Sequence, residues 1–290
     1  MMALGRDQVV EALADTEELP SFPEVVLRME REIRSPDASV ARVARIVQDD
    51  PAMAARFLRV ANSPFYRRSR AITSIKQAVG LLGLAEVRRL ALASAVVGRY
   101  KEVGSRDPKA FWIHSIAVAL ATQITANIAA ERLTQAHVDG AYVAGLLHDL
   151  GVLAMVQLFP EAYQAVTAEV AETGAPAWEV EVREFGIHHG EVGAILAERW
   201  ELPEPVRSAI HHHHQPWLAD DDHRKLVQLV HFANFACSNQ GFDRLETGFP
   251  MGFDDGAWEG LGLTLEQVPE IIDQVKIQGE RSEVFWDLSS

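Results

Sequence analysis

The sequence predicts an all-α protein, and three observations predict it. Apolar residues recur at helical spacing along almost the whole chain. Alternating strand patterns are scarce. Helix-starting and helix-stopping residues punctuate the apolar stretches.

Taken in order, Val25, Met29 and Ile33 step along one helix face, which Pro36 and Asp37 break. Val40, Val43, Ala44 and Val47 form the next face. Asp50-Pro51 starts a helix, because Asp50 can cap it and Pro51 suits its first turn. That helix runs through Phe57, Leu58 and Val60 and stops near Asn62-Ser63-Pro64, residues that form ordinary turns. Ser74 and Gln77 predict a capping box before Ala78, Val79, Leu81 and Leu82. Gly83 ends this short helix, and Ala85 opens another through Leu90, Leu92 and Val96.

The polar stretch from Tyr100 to Lys109 marks a subdomain boundary, dividing the chain into 1–104, 105–240 and a tail, 241–290. Residues 110–131 form a long helix that is apolar and small on most sides, as suits the middle of a bundle. The next long helix ends at Leu146–Asp149. Further helices are predicted at 160–173, 178–185, 189–200, 203–214 and 223–239. The stretch from Gly241 to Gly262 is glycine-rich and irregular. Residues 264–278 form a last helix capped by Thr264. Its stripe of Leu265, Val268, Ile271 and Ile272 has to lie back on a bundle, because it cannot be buried alone.

The 290 residues carry 27 Lys and Arg against 41 Asp and Glu, a formal net charge of −14. No long basic run is present, which argues against an electrostatic grip on DNA or an anionic membrane. No segment reads as an apolar run of the roughly 20 residues that a membrane span needs. The single cysteine, Cys237, allows no internal disulfide and fits a reducing compartment. The expected location is cytoplasmic.

The run Gly145-Leu-Leu-His148-Asp149-Leu-Gly151 carries the most chemical information. Two ionisable residues follow an apolar helical stretch, and buried polar groups need partners. A divalent metal is one candidate partner; a hydrogen-bond network is the other. Histidines recur at predicted helix ends: His114 early in one helix, His188 and His189 before another, His211 to His214 closing a third. Zinc, iron, manganese and nickel accept imidazole, and a carboxylate adds charge compensation. The plain alternatives are a satisfied core histidine at His114 and a hydrogen-bonded pair at His148-Asp149. Successive helical residues point in different directions, so at most two of His211 to His214 can share one site. His137, His223 and His231 read as surface or packing residues.

Several ordered blocks then resemble the HDOD domain, a signalling-output relative of the HD phosphohydrolases, over roughly residues 19–218. They are Leu19-Pro20-Ser21-Phe22-Pro23, Asp49-Asp50-Pro51 with Leu58 to Ser63, Ile75 to Gly83, Phe111 to Ser115, Ala144 to Gly151, and His213 to Pro216. The resemblance implies an N-terminal bundle packed on a second bundle like that of HD phosphohydrolases. It implies a metal set of His114, His148, Asp149 and Asn234. The HD-GYP branch of that superfamily adds positions matching His189 and His213 or His214, with His213 preferred. The implied cofactor is a divalent transition metal: Fe, Mn, Zn or Ni.

This sequence departs from the active relatives in three places. Asn234 stands where they carry an aspartate, and a neutral amide is a weaker ligand for a hard cation. Val152 stands where they carry a lysine that helps bind phosphate. Gln215-Pro216-Trp217 follows the histidines in place of Gly-Tyr-Pro. The expected function is therefore a non-catalytic regulatory module whose partner is a signalling protein or a small nucleotide. The alternative is a metal-dependent phosphohydrolase acting on a nucleotide or cyclic dinucleotide.

Overall fold

In a computed structural model of the chain, the described residues are 4–15, 24–63, 66, 72–97, 108–242 and 260–286. Among them every regular element is helical, as the sequence predicts. Contacts divide the chain into two units: Met1–Leu19 with Glu102–Ile277, and Pro20–Lys101 with Gln278–Ser290. This differs from a single bundle over 1–104 and a separate tail over 241–290. The first helix, α1 (Arg6–Asp15), groups with the later helices, and Arg6 pairs with Glu191 at 3.5 Å.

The unit centred on residues 20–101 contains α2 (Glu24–Ile33), α3 (Val40–Gln48), α4 (Pro51–Ala61), α5 (Ile75–Leu82) and α6 (Leu84–Val97). Val26, Met29, Val43, Val47, Phe57, Val79 and Val87 are fully buried between them. Arg88 on α6 reaches Glu30 on α2 at 2.7 Å. Asp50 caps α4 as expected, accepting from Met53 N at 3.0 Å. Gly83 ends α5 with a positive φ of 80°. The capping box expected at Ser74 and Gln77 does not form; Ser74 takes the extended cap conformation, but its hydroxyl makes no capping bond.

Asn62 has a structural task here. Its amide nitrogen donates to Leu58 O and Ile72 O, each at 2.8 Å, and its Oδ1 accepts from Ile72 N at 2.7 Å. Both amide donors and the carbonyl are engaged with backbone, which fixes the chain on either side of the Asn-Ser turn.

The other unit adds α7 (Pro108–Ile128), α8 (Gln135–Leu147), α9 (Leu150–Leu158), α10 (Pro160–Thr173), α11 (Ala177–Phe185), α12 (His189–Arg199), α13 (Glu204–His212), α14 (Asp221–Asn239) and the first half of α15 (Val268–Trp286). Helix α7 packs along α8 and α14, and α12 packs against α9 and α13. Leu146, Leu147 and Leu150 are fully buried, each worth about 1.5–3 kcal/mol of burial. Helix α9 lies between the helix that the sequence reading ended at Leu146–Asp149 and the one it placed at 160–173, where no element was predicted.

Two stretches, Ala110–Ile128 and Gln135–Leu158, are long and apolar enough to cross a membrane by length and composition, which corrects the reading that no segment approaches such a run. Their apolar windows are 72% and 83% buried inside the protein, as in core helices. On α15, Val268, Ile271, Ile272 and Val275 are buried, while Leu265 in the preceding turn is 62% exposed and so leaves the expected stripe. Leu19 and Phe22, the linker residues 100–107 and most of the Gly241–Gly262 stretch lie outside the described residues.

Candidate metal centre

The candidate ligands sit at helix ends, where the backbone turns and side chains can converge. His148 is the C-cap of α8, and Asp149 begins α9. His189 is the first residue of α12, and His213 is the C-cap of α13. His114 comes from the second turn of α7. Close helix approach brings them together. A Cβ on Gly145 would lie 2.8 Å from Ala119 Cα, so only glycine lets α8 settle on α7. A Cβ on Gly151 would lie 1.9 Å from His189 O, so only glycine lets α9 meet the start of α12.

Asp149 lies at the centre. Its Oδ2 is 3.7 Å from His114 Nε2 and 3.4 Å from His148 Nε2. Its Oδ1 is 3.2 Å from His189 Nε2 and 3.6 Å from His213 Nε2. His214 Nε2 reaches within 3.0 Å of His189 Nε2. Two overlapping groups result: His114, His148 and Asp149, and Asp149, His189, His213 and His214, with the ligating atoms of each within 4.8 Å of one another. Of the residues named from the sequence, five thus share one site. Asn234 is buried on α14, and its Oδ1 accepts from Ser238 Oγ at 3.3 Å.

The far nitrogen of each ring fixes its tautomer. His148 Nδ1 donates to Gly145 O at 2.8 Å, His213 Nδ1 to Ile210 O at 2.8 Å and His114 Nδ1 to Phe242 O at 2.5 Å. A carbonyl only accepts, so the proton is on Nδ1 and a neutral ring presents a lone pair on Nε2. His189 Nδ1 donates to the Glu181 carboxylate at 2.6 Å. The Nε2 atoms of His114 and His148 face each other at 3.3 Å, as do those of His189 and His213. Facing lone pairs, as on His114 and His148, repel at this distance unless a cation lies between them, whereas His189, raised by Glu181 and Asp149 against its burial, can present a proton to His213. Burial holds His148 well below the ordinary imidazole range, with Asp149 opposing and His213 and His114 adding, so a proton is a poor cation for that pair. The donor set therefore fits a divalent transition metal.

The sequence reading preferred His213 over His214, and the structure brings both to the centre. It also omitted Glu181, which is fully buried on α11 behind His189. His137 and His231 are packing residues, as expected. His137 closes a capping box with Thr134, and His231 Nδ1 donates to His213 O at 2.7 Å.

The profile of the HDOD domain matches residues 19–216. This chain belongs to the HDOD family. The crystal structure of an HDOD domain protein with unknown function from Geobacter sulfurreducens is 28% identical, with a TM-score of 0.77 over 95% of both chains. A candidate phosphohydrolase from Shewanella amazonensis SB2B is 26% identical, with a TM-score of 0.64 over 92% of this HDOD chain and 97% of that one. An uncharacterized protein of Treponema pallidum (strain Nichols) is 28% identical over 228 residues, 78% of this chain. The chain spans only 44% of that relative's length.

Proposed function

We propose that this HDOD chain is a regulatory output module of bacterial signalling whose HD-like bundle holds a divalent transition metal, Fe, Mn, Zn or Ni, without efficient phosphodiester turnover. One observation carries the reading: four imidazole Nε2 atoms, their Nδ1 atoms tied to acceptors, converge on the Asp149 carboxylate. His114, His148, Asp149, His189, His213 and His214 would hold the metal, with Asn234 a weaker, neutral candidate. A bound ion of this class supplies charge stabilisation and, at an open position, an activated water. The protein's own residues do the rest: the rings orient Nε2 inward and the surrounding helices exclude bulk water.

Three features oppose turnover. Asn234 is an amide where a carboxylate would add charge. Val152 is buried and apolar where a cation would bind phosphate. His114, His148, Asp149, His189 and His213 are each no more than 1% exposed, which leaves little access for a phosphodiester. The partner in this reading is a signalling protein or a small nucleotide in the cytoplasm, not DNA or a membrane surface, consistent with a net charge of −14.

A second reading, a metal-dependent phosphohydrolase, is favoured by one observation: His214 joins the set and brings the imidazoles around Asp149 to five. Turnover of cyclic dinucleotides and of a generic phosphodiester, with manganese or iron supplied, separates the two. The expected result is weak or no hydrolysis by the native chain. Asn234→Asp is expected to raise metal occupancy. Robust hydrolysis that disappears in His148→Ala and Asp149→Ala would establish the second reading instead.

A further inference from the structure

Glu181 is a fully buried carboxylate with three hydrogen-bond donors turned onto it. Its Oε1 accepts from Tyr163 OH at 2.7 Å. Its Oε2 accepts from the His189 backbone N at 2.8 Å and from His189 Nδ1 at 2.6 Å. Tyr163 is on α10 and is itself 3% exposed, so the acid is clamped between two helices and the start of a third. A buried acid is costly unless such bonds compensate it.

We infer that Glu181, held by Tyr163, is the positioning residue of His189, and that it makes the Asp149–His189–His213–His214 group the tighter of two metal half-sites. The inference rests on the metal-binding reading above. Behind His189 stands a charged carboxylate, which fixes the ring and raises its basicity as a ligand. His114 and His148 donate to the neutral carbonyls of Phe242 and Gly145, as His213 does to that of Ile210. The group with His189 brings three imidazoles to Asp149, against two in the group with His114. Charge and ligand number thus favour the same side.

The test titrates the metal-free chain with Co(II), reading stoichiometry and affinity by equilibrium dialysis and coordination by visible absorption. The native chain is expected to bind a first ion more tightly than a second. Glu181→Gln keeps the side-chain volume but removes the charge. It is expected to weaken the first ion roughly 10–100-fold and leave the second unchanged. Tyr163→Phe should weaken the first ion in the same direction but less. His114→Ala should abolish the second ion and spare the first. If Glu181→Gln does not fold, Tyr163→Phe and His114→Ala still decide the question.

Loss of the tight ion in His114→Ala with its retention in Glu181→Gln or Tyr163→Phe overturns the assignment. So does equal affinity for two ions. A parallel fall of both affinities together with the metal-free melting temperature would make Glu181 a structural residue only. Failure of the native chain to bind any Co(II) overturns the metal reading itself, which keeps the two failures distinct.

Discussion

Asp149 opens α9 in the position where a carboxylate usually accepts from the first-turn N–H groups, yet it makes no capping bond. It faces the histidines instead, and that choice has a pH signature in the metal-free protein. Burial alone would lower His189, but Glu181 and Asp149 outweigh it and raise the ring to about 9. A raised base contributes stability that is fully present below its unfolded value of about 6.5 and is lost as pH rises through about 9. His148 and His213 are held low chiefly by burial, and His188 is held low by the same cause at about 3. Their unfolded rings take up protons below about pH 6.5, so they remove stability on the acid side. The melting temperature of chelator-treated protein is expected to peak near neutrality and to fall towards pH 9. A profile that stays flat or rises over that range contradicts the assignment to His189. Much of the site was legible because His114, His148, Asp149, His213 and His214 lie in recognisable blocks, while His189 came only from the HD-GYP comparison. His213 was preferred to His214 by helical spacing from Ile210, but α13 ends at His212 with His213 as its cap, and both rings reach the site. Glu181 gave no usable signal. It sits in Val180-Glu181-Val182-Arg183-Glu184, where an acid reads as part of a solvated face, while Val182 is the residue left 41% exposed.

At the scale of the element, glycines decide how near the ligand-bearing helices come. A Cβ on Gly151 would meet backbone atoms of His189 and Gly193 that cannot give way. Gly151→Ala is expected to cost about 3 kcal/mol, the upper range for overpacking, or to prevent folding, and to lower metal retention with it. Gly80, in the middle of α5, is the opposite case. A Cβ there would have only an ordinary contact, 3.9 Å from Val40 Cγ1. Gly80→Ala is therefore expected to stabilise by about 0.5–1 kcal/mol, through helix propensity alone. Denaturant melts of the two variants read the opposite signs directly. The break at His148-Asp149 was legible, but α9 as a helix of its own was not. Residues 142–158 are apolar almost throughout, and the break between the helices falls on the His-Asp pair itself. Helix α15 was legible from its apolar spacing and from Thr264, which with Gln267 closes a capping box on the short turn Leu265–Gln267 that leads into it.

For the whole molecule, the helical class was legible throughout, whereas the grouping of α1 with the later helices was not. That grouping depends on contacts far apart in sequence, such as Arg6 with Glu191, which no local pattern encodes. The central claim is that the convergent histidines around Asp149 hold a metal ion, and its most direct measurement is elemental analysis of the full chain purified without a histidine tag. The expected result is one to two equivalents of iron, manganese, zinc or nickel per chain, lost in an Asp149→Ala variant that still folds and reduced in His148→Ala. A native chain free of transition metal, and unable to take one up when it is supplied, would contradict the account.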